Sequence, residues 1–190
     1  MENTVLIGVS NRHVHLCRAH LDTLFGAGYN LTMLRTIRQP GQFAAEEKVT
    51  LVGDTELEAR IVGPLRLQTQ IEILQEDRAL LGIDAPVKVS GKLEGTPGMH
   101  IRGPAGEVTL SYGVIVAAKH VHMATTEVPS FGLEGIKYVD VRTSTGTTFE
   151  RIPVRSGDTH RSEFHLDRDE ATGFGIATGH TGTIIHRYSQ

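Results

Sequence analysis

The stretch GVIVAAKHVHM, residues 113–123, joins an apolar run opening on Gly113-Val114 to the triplet His120-Val121-His122. Near the N-terminus the chain makes the same statement. Gly8-Val9 ends the apolar run Val5-Leu6-Ile7-Gly8-Val9, and His13-Val14-His15-Leu16 follows. Downstream of the triplets stand Phe25-Gly26 and Phe131-Gly132. One β unit written twice accounts for this pattern, and a pair of similar barrels is its expected product.

The rest of the chain agrees with a β-rich reading. Turn signals recur at short intervals (Pro40-Gly41, Gly63-Pro64, Gly91, Gly95-Thr96-Pro97-Gly98, Gly103-Pro104, Gly146, Gly157). Short β-branched runs lie between them: Val49–Val52, Val87–Ser90, Val108–Leu110, Gly113–Ala117, Tyr138–Val141 and Ile152–Arg155. Many short strands at this spacing predict barrels or sandwiches rather than alternating β and α. Three short helices are expected, over Arg18–Phe25 before Gly26, Gln75–Leu81 before Gly82, and Asp169–Phe174. The fold class is therefore mainly β: two β-barrel domains related by duplication, with a few short capping helices. The expected domains are 10–117, carrying the first triplet and Glu72, and 118–190, completed by the N-terminal strand 1–9.

Composition removes several classes of function. A net charge of −3 over 190 residues, with no Trp, argues against a nucleic-acid binder, which needs a basic surface and stacking aromatics. No apolar run approaches the roughly 20 residues of a membrane span. Met1-Glu2-Asn3-Thr4 is acidic where a secretory leader would be basic, and one cysteine, Cys17, cannot form an internal disulfide. A cytoplasmic location is the expectation.

Ten histidines are many for this length, and four of them sit in the two triplets. In a strand, alternate side chains face the same way, with Cα atoms roughly 7 Å apart, so His13 pairs with His15 and His120 with His122. A single pair would be an ordinary polar strand face. Two copies, each with Val between the imidazoles and an apolar residue after, point to metal binding. Two or three imidazoles with a carboxylate and open positions suit catalytic zinc, and the same donors accept Cu, Fe, Co or Ni. For a third ligand His165, in the strand-like Glu163-Phe164-His165-Leu166-Asp167, is favoured over its rival His160, in the loop-like Gly157-Asp158-Thr159-His160-Arg161. His20, His100, His180 and His186 are expected to be structural.

The segment Gly63–Ile73 alternates, with Arg66, Gln68, Gln70 and Glu72 on one face and Leu67, Thr69, Ile71 and Ile73 on the other. That face is either simply solvated or functional, with Glu72 on a metal and Arg66 on an anion, guanidinium being a good partner for phosphate. A straight strand would hold the two Cα atoms about 20 Å apart, so one site for both requires a bend after Gly63-Pro64. Arg12 and Lys119, each just before a triplet, add positive charge favouring an anionic substrate, and Asn11 adds a neutral hydrogen-bonding group. These three are the candidate substrate-binding residues. Gln39-Pro40-Gly41-Gln42-Phe43 reads as a turn, and Cys17 as an inert thiol at a helix start. The first triplet lacks the continuation of a metallo-β-lactamase and the following Glu of a cupin. There is no His-Glu-X-X-His, Cys-X-X-Cys or Walker loop.

Six segments taken together resemble the PduL family of phosphotransacylases, the phosphate propanoyltransferases. They are Gly8–Leu16, Gln39–Ala44, Gly63–Arg66 with Thr69–Glu72, Ser90-Gly91 with Gly95–Gly98, Lys119–Met123, and His165–Ala171, covering residues 8–171 in order. The resemblance implies two β-barrels, the first strand completing the second barrel. It implies two zinc ions per chain, one held by His13, His15 and Glu72 and the other by His120, His122 and His165, with Arg66 as the catalytic residue that binds phosphate. It implies short-chain acyl-CoA, propionyl-CoA or acetyl-CoA, exchanging coenzyme A for phosphate, as in propanediol degradation. Acyl-CoA, CoA and phosphate are then the partners, with no nucleic acid and no membrane. A homo-oligomer is compatible with it. Relatives packaged in bacterial microcompartments carry an amphipathic extension before the first strand. Here that strand begins almost at Met1, so the cytosol is expected. Where relatives often read Asp-Thr-Asp-Glu-Ala-Asn-Ala, this chain has Asp167-Arg168-Asp169-Glu170-Ala171-Thr172-Gly173. A dizinc thioester or phosphoester hydrolase and a non-catalytic metal-stabilised barrel are the alternatives.

Overall fold

The computed structural model describes residues 3–190. In chain order the elements are β1 (Thr4–Ser10), β2 (His13–His15), α1 (Arg18–Phe25), β3 (Met33–Thr36), β4 (Phe43–Val52), β5 (Glu56–Gly63), β6 (Gln70–Ile73), α2 (Asp77–Leu81), β7 (Val87–Lys88), β8 (Met99–Arg102), β9 (Glu107–Leu110) and β10 (Val114–Ala117). Then follow β11 (His120–Ala124), β12 (Tyr138–Thr143), β13 (Thr148–Gly157), β14 (Glu163–Asp167), α3 (Arg168–Gly173) and β15 (Thr181–Tyr188). The fold is mainly β, with the three helices close to their expected positions.

The chain forms two compact units. One takes the described residues of Met1–Ser10 together with Lys119–Gln190, the other Asn11–Ala118. The first is a closed six-stranded barrel in the order β1-β14-β11-β13-β12-β15. Its core is Val5 and Ile7 from β1 with Val121, Met123, Val139, Val141, Phe164 and Leu166. The second is a nine-stranded sheet curled into a half-barrel, ordered β7-β10-β6-β2-β5-β4-β8-β9, with β3 paired to β4. Val14, Leu16, Leu51, Ile61, Ile71, Ile101 and Val114 fill it.

The internal repeat reaches down to strand direction. Along β10-β6-β2-β5-β4-β8 the pairings run parallel, antiparallel, parallel, antiparallel, antiparallel. Along β1-β14-β11-β13-β12-β15 they run in the same sequence. The strand ahead of each triplet belongs to the other unit: β1 sits in the barrel of the second triplet, and β10 in the sheet of the first. The barrel closes through β1 against β15. The sheet of the other unit continues instead, because β7 takes the free edge of β10 and β9 that of β8. Val114, Ile115 and Val116 of β10 are all buried, as expected for a strand with parallel neighbours on both sides.

The expected alternation over Gly63–Ile73 does not hold as one strand. β5 ends at Gly63 and β6 begins at Gln70, so Pro64–Thr69 is a connection and Leu67 is fully exposed. The polar face of β6 is not a solvated one either, since Gln70 and Glu72 are both buried. Gly63 is needed at the break: a Cβ there would lie 2.3 Å from the Phe43 ring, which packs over the backbone just before Pro64.

Candidate metal centres

β2 lies between β5 and β6, and its antiparallel register with β6 sets His13 opposite Glu72 and His15 opposite Gln70. Residues opposite one another share a face, so His13, His15 and Glu72 converge, with one donor atom from each lying within 4.8 Å of the others. Backbone carbonyls, which can only accept, set the tautomers. His13 Nδ1–H donates to the Asn11 carbonyl at 2.8 Å, and His15 Nδ1–H to that of Val62 at 2.9 Å. Each Nε2 therefore keeps its lone pair, 3.5 Å and 3.8 Å respectively from oxygens of Glu72. This arrangement is the outer-shell support expected around a ligating imidazole.

The bend after Gly63-Pro64 brings Arg66 to the same place. Its backbone N–H donates to Leu16 O at 2.9 Å, while its guanidinium donates to His15 Nε2 at 2.8 Å and to Ser90 Oγ at 3.2 Å. Ser90 Oγ–H and Gln70 Nε2–H in turn donate to Glu72 Oε1 at 2.9 and 2.5 Å. Beside Arg66 and His15 opens a cleft walled by Pro40, Gly41, Gln42, Gly63 and Pro64. The Gln39–Gln42 turn, closed by Gln42 N–H to Gln39 O, thus forms one wall. Burial alone would push Glu72 up, but His13, His15, Ser90 and Arg66 outweigh it and hold the carboxyl well below the usual range. Burial, reinforced by His13, pushes His15 down to about 3, so it is neutral and able to ligate at physiological pH.

The second group is built the same way. β11 pairs antiparallel with β14, setting His120 opposite His165 and His122 opposite Glu163. Donor atoms of His120, His122 and His165 lie within 4.8 Å of one another. The Nε2 atoms of His120 and His122 are 2.9 Å apart, and His165 Nε2 is 2.7 Å from Glu163 Oε2. Gly8 on β1 leaves room for Glu163, since a Cβ there would sit 2.7 Å from its Oε1. His122 Nδ1 is buried with no hydrogen-bond partner, and burial with its imidazole neighbours pushes His122 down to about 2. Imidazoles crowded nitrogen to nitrogen, one of them holding an orphaned buried donor or acceptor, fit a cation that the donors are arranged to receive.

The sign of the resulting pH dependence follows from these two imidazoles. In metal-stripped protein the unfolded chain protonates both near 6.5, whereas the folded chain stays unprotonated down to about 3 at His15 and about 2 at His122. The unfolded state then binds more protons, so stability falls as pH drops below about 6.5, at roughly 1.4 kcal/mol per unit for a deeply buried group such as His15. Denaturant midpoints measured in chelator at pH 7.5, 6 and 5 should decrease in that order. A flat series would mean that His15 is solvated.

The basic residues ahead of the triplets have engaged side chains. Arg12 donates through Nε and Nη2 to both carboxylate oxygens of Asp77, at 2.8 and 2.5 Å, and Asp77 is fully buried and also accepts Leu74 N–H at 2.9 Å. Asp77 raises the Arg12 pKa. Lys119 is paired with Glu170. Asn11 contributes its carbonyl to His13, while its Oδ1 accepts Arg12 N–H at 2.8 Å. In each repeat, then, the residue before the triplet is tied to an acid five positions beyond the third candidate ligand, Glu72 to Asp77 and His165 to Glu170. Those acids lie on α2 and α3, and with Ser90 and Gln70 they were not picked out as site residues. The matching offset was the available signal. Asp77→Ala should cost about 3 kcal/mol of stability by stranding Arg12, and should weaken zinc binding at the first group roughly 10-fold or more while sparing the second. Urea titration and chelator competition measure the two effects. Unchanged zinc affinity would reduce the pair to a fold contact.

Four other histidines have structural partners, His20 in Thr69, His100 in Thr109 and Glu107, His180 in the Ala177 N–H that its Nδ1 accepts, and His186 in Asp140. Cys17 is the residue before α1, its backbone N–H held by Thr69 Oγ1. Among the described residues no helix is long and apolar enough to cross a membrane.

Similarity to known proteins extends over nearly the whole chain. The profile of the phosphate propanoyltransferase family matches residues 6–177. The phosphate propanoyltransferase of Thermotoga maritima is 43% identical over 189 residues, covering 97% of this chain and 90% of its own. That of Rhodobacter capsulatus is 45% identical over 176 residues, covering 90% and 82%. That of Enterococcus faecalis is 39% identical over 189 residues, covering 97% and 89%. With a family profile spanning most of the chain and relatives at this identity over nearly all of it, the chain belongs to the phosphate propanoyltransferase family of acyltransferases.

Proposed function

We propose that this acyltransferase exchanges phosphate and coenzyme A on a short acyl group, propionyl or acetyl, by direct attack of phosphate on the thioester. The carrying observation is the placement of Arg66: a guanidinium at the mouth of a cleft, hydrogen-bonded to a candidate ligand, His15, and to the residue that anchors another, Ser90. His13, His15 and Glu72 would hold one zinc ion, and His120, His122 and His165 a second. Bound zinc would supply Lewis acidity toward the thioester carbonyl and a soft-tolerant partner for the CoA sulfur.

The chain's own residues do the rest. Arg66 presents a planar fork suited to two phosphate oxygens, and fixing the attacking oxygen near the carbonyl carbon is worth several kcal/mol of barrier. Gln70 and Ser90 keep Glu72 in one orientation, so the charge facing His13 and His15 does not wander. A phosphate O–C bond forms, the C–S bond breaks, and CoA leaves as thiolate. No general base is required, because phosphate is already ionised at neutral pH. A protein nucleophile is not needed either: Ser90 is engaged with Glu72, and Ser10 donates to Asp167 at 2.8 Å.

Release of free thiol from propionyl-CoA and acetyl-CoA, with and without phosphate, tests the reading. Release that requires phosphate and yields acyl phosphate is expected. Release without phosphate would make the protein a hydrolase, and none a binding module.

A further inference from the structure

The two repeats place a side chain against the second histidine of each triplet from the same connection. In the first, the β5–β6 link carries Arg66, whose guanidinium meets His15. In the second, the β13–β14 link carries His160, whose ring centroid lies 4.3 Å from that of His122 at 70°. That is nearer to His122 than His120 at 4.4 Å or His165 at 4.8 Å. Where the first repeat presents a cation to its histidine pair, the second presents another imidazole.

Three features prepare that imidazole for ligation. Its Nδ1–H donates to the Arg155 carbonyl at 3.0 Å, which leaves the lone pair on Nε2. Its backbone N–H donates to Gly157 O at 3.1 Å, closing a tight turn that holds the residue beside β11. Gly157 itself makes the space: a Cβ there would lie 3.0 Å from Cε1 and Nδ1 of the ring. His160 nevertheless stands one step outside the compact donor group of His120, His122 and His165. Ligating the same ion would require its side chain to turn toward that group.

We propose that His160 is a displaceable fourth imidazole ligand of a transition metal at the second centre, closing its coordination when no substrate is bound and yielding its place to a thiol ligand of the coenzyme A class. The inference rests on the reading of His120, His122 and His165 as a metal set. Four nitrogen donors complete the tetrahedral, closed arrangement typical of a resting or structural site, whereas three leave the open position that an incoming ligand uses. The exchange changes no oxidation state. The neutral imidazole departs with its lone pair, the thiol sulfur takes the position as thiolate, and the thiol proton goes to solvent. The first centre, with Arg66 in the corresponding place, has no such plug, so the two centres differ in how a ligand gains entry.

Cobalt(II) loading tests this. The full chain is prepared with His13→Ala, so that only the second centre is filled, and then with His160→Ala, His160→Gln or His120→Ala added. Visible absorption and chelator competition are recorded before and after addition of CoA, with circular dichroism to verify folding. Expected are an intense four-coordinate cobalt spectrum with His160 present, a changed spectrum and roughly 10-fold weaker metal binding in both His160 variants, and a CoA-induced spectral change seen at lower CoA concentration without His160. Spectra and affinities that do not move in either His160 variant, while His120→Ala abolishes binding, would overturn the role of His160 alone. Absence of cobalt uptake with all four histidines in place would remove the metal reading beneath it as well.

Discussion

His120→Ala is expected to lose one equivalent of zinc per chain and to slow phosphate-dependent thiol release by at least about 10³-fold, a barrier increase of about 4 kcal/mol. His120 is the residue through which the second group is assembled: it faces His165 across the strand pair, and its Nε2 is 2.9 Å from that of His122. Removing it leaves only His122 and His165 of the compact donor group, with His160 standing outside it, too few to hold the ion firmly. His13→Ala should cost the other equivalent for the mirrored reason, since His13 faces Glu72. Elemental analysis of both variants beside the rate assay separates the outcomes. Full zinc content with an intact rate in either variant would refute the assignment of that group.

Arg66→Ala should leave zinc content unchanged while lowering kcat/KM for phosphate by about 10²- to 10³-fold, most of it through a higher KM for phosphate if the guanidinium chiefly binds the ground-state anion. Arg66→Lys should recover part of the loss and not all of it, because an ammonium brings the charge without the planar fork. Arg66 touches both His15 and Ser90, so the metal measurement is the decisive companion. Loss of zinc from Arg66→Ala would move the residue from anion binding to support of the first centre.

Much of the fold was legible because strand chemistry is local. The β-branched runs bounded by Gly and Pro became strands, and the duplicated triplets marked the two repeats. The histidine pairs were legible for the same reason, since period two alone sets their shared face. His165 could be preferred over His160 because it sits within an apolar run that makes a strand, β14. What escaped was long-range. The alternation of Gly63–Ile73 mimics one strand, yet the Phe43 ring over Gly63 and the pairing of β6 with β2 break it into a link and a strand. Arg12 and Lys119 looked like charges available to a substrate, whereas their partners, Asp77 and Glu170, lie 65 and 51 residues away. Nothing in a local window reports such a partner, although the shared offset from the third candidate ligand was present in the sequence throughout.

The exchange of β1 and β10 bears on how the chain can be made. β1 is synthesised first, yet its pairing partners are β14, where Leu6 meets Glu163, and β15, where Thr4 meets Thr183. The barrel therefore cannot close on β1 until almost the whole polypeptide has left the ribosome. Val5 and Ile7, apolar and committed to that barrel, spend synthesis without their final neighbours. Contacts of such sequence separation slow folding. Cutting the chain between Ala118 and Lys119 should leave the unit Asn11–Ala118 with all its strands, whereas the fragment Lys119–Gln190 should close its barrel only when the other fragment, which carries β1, is present.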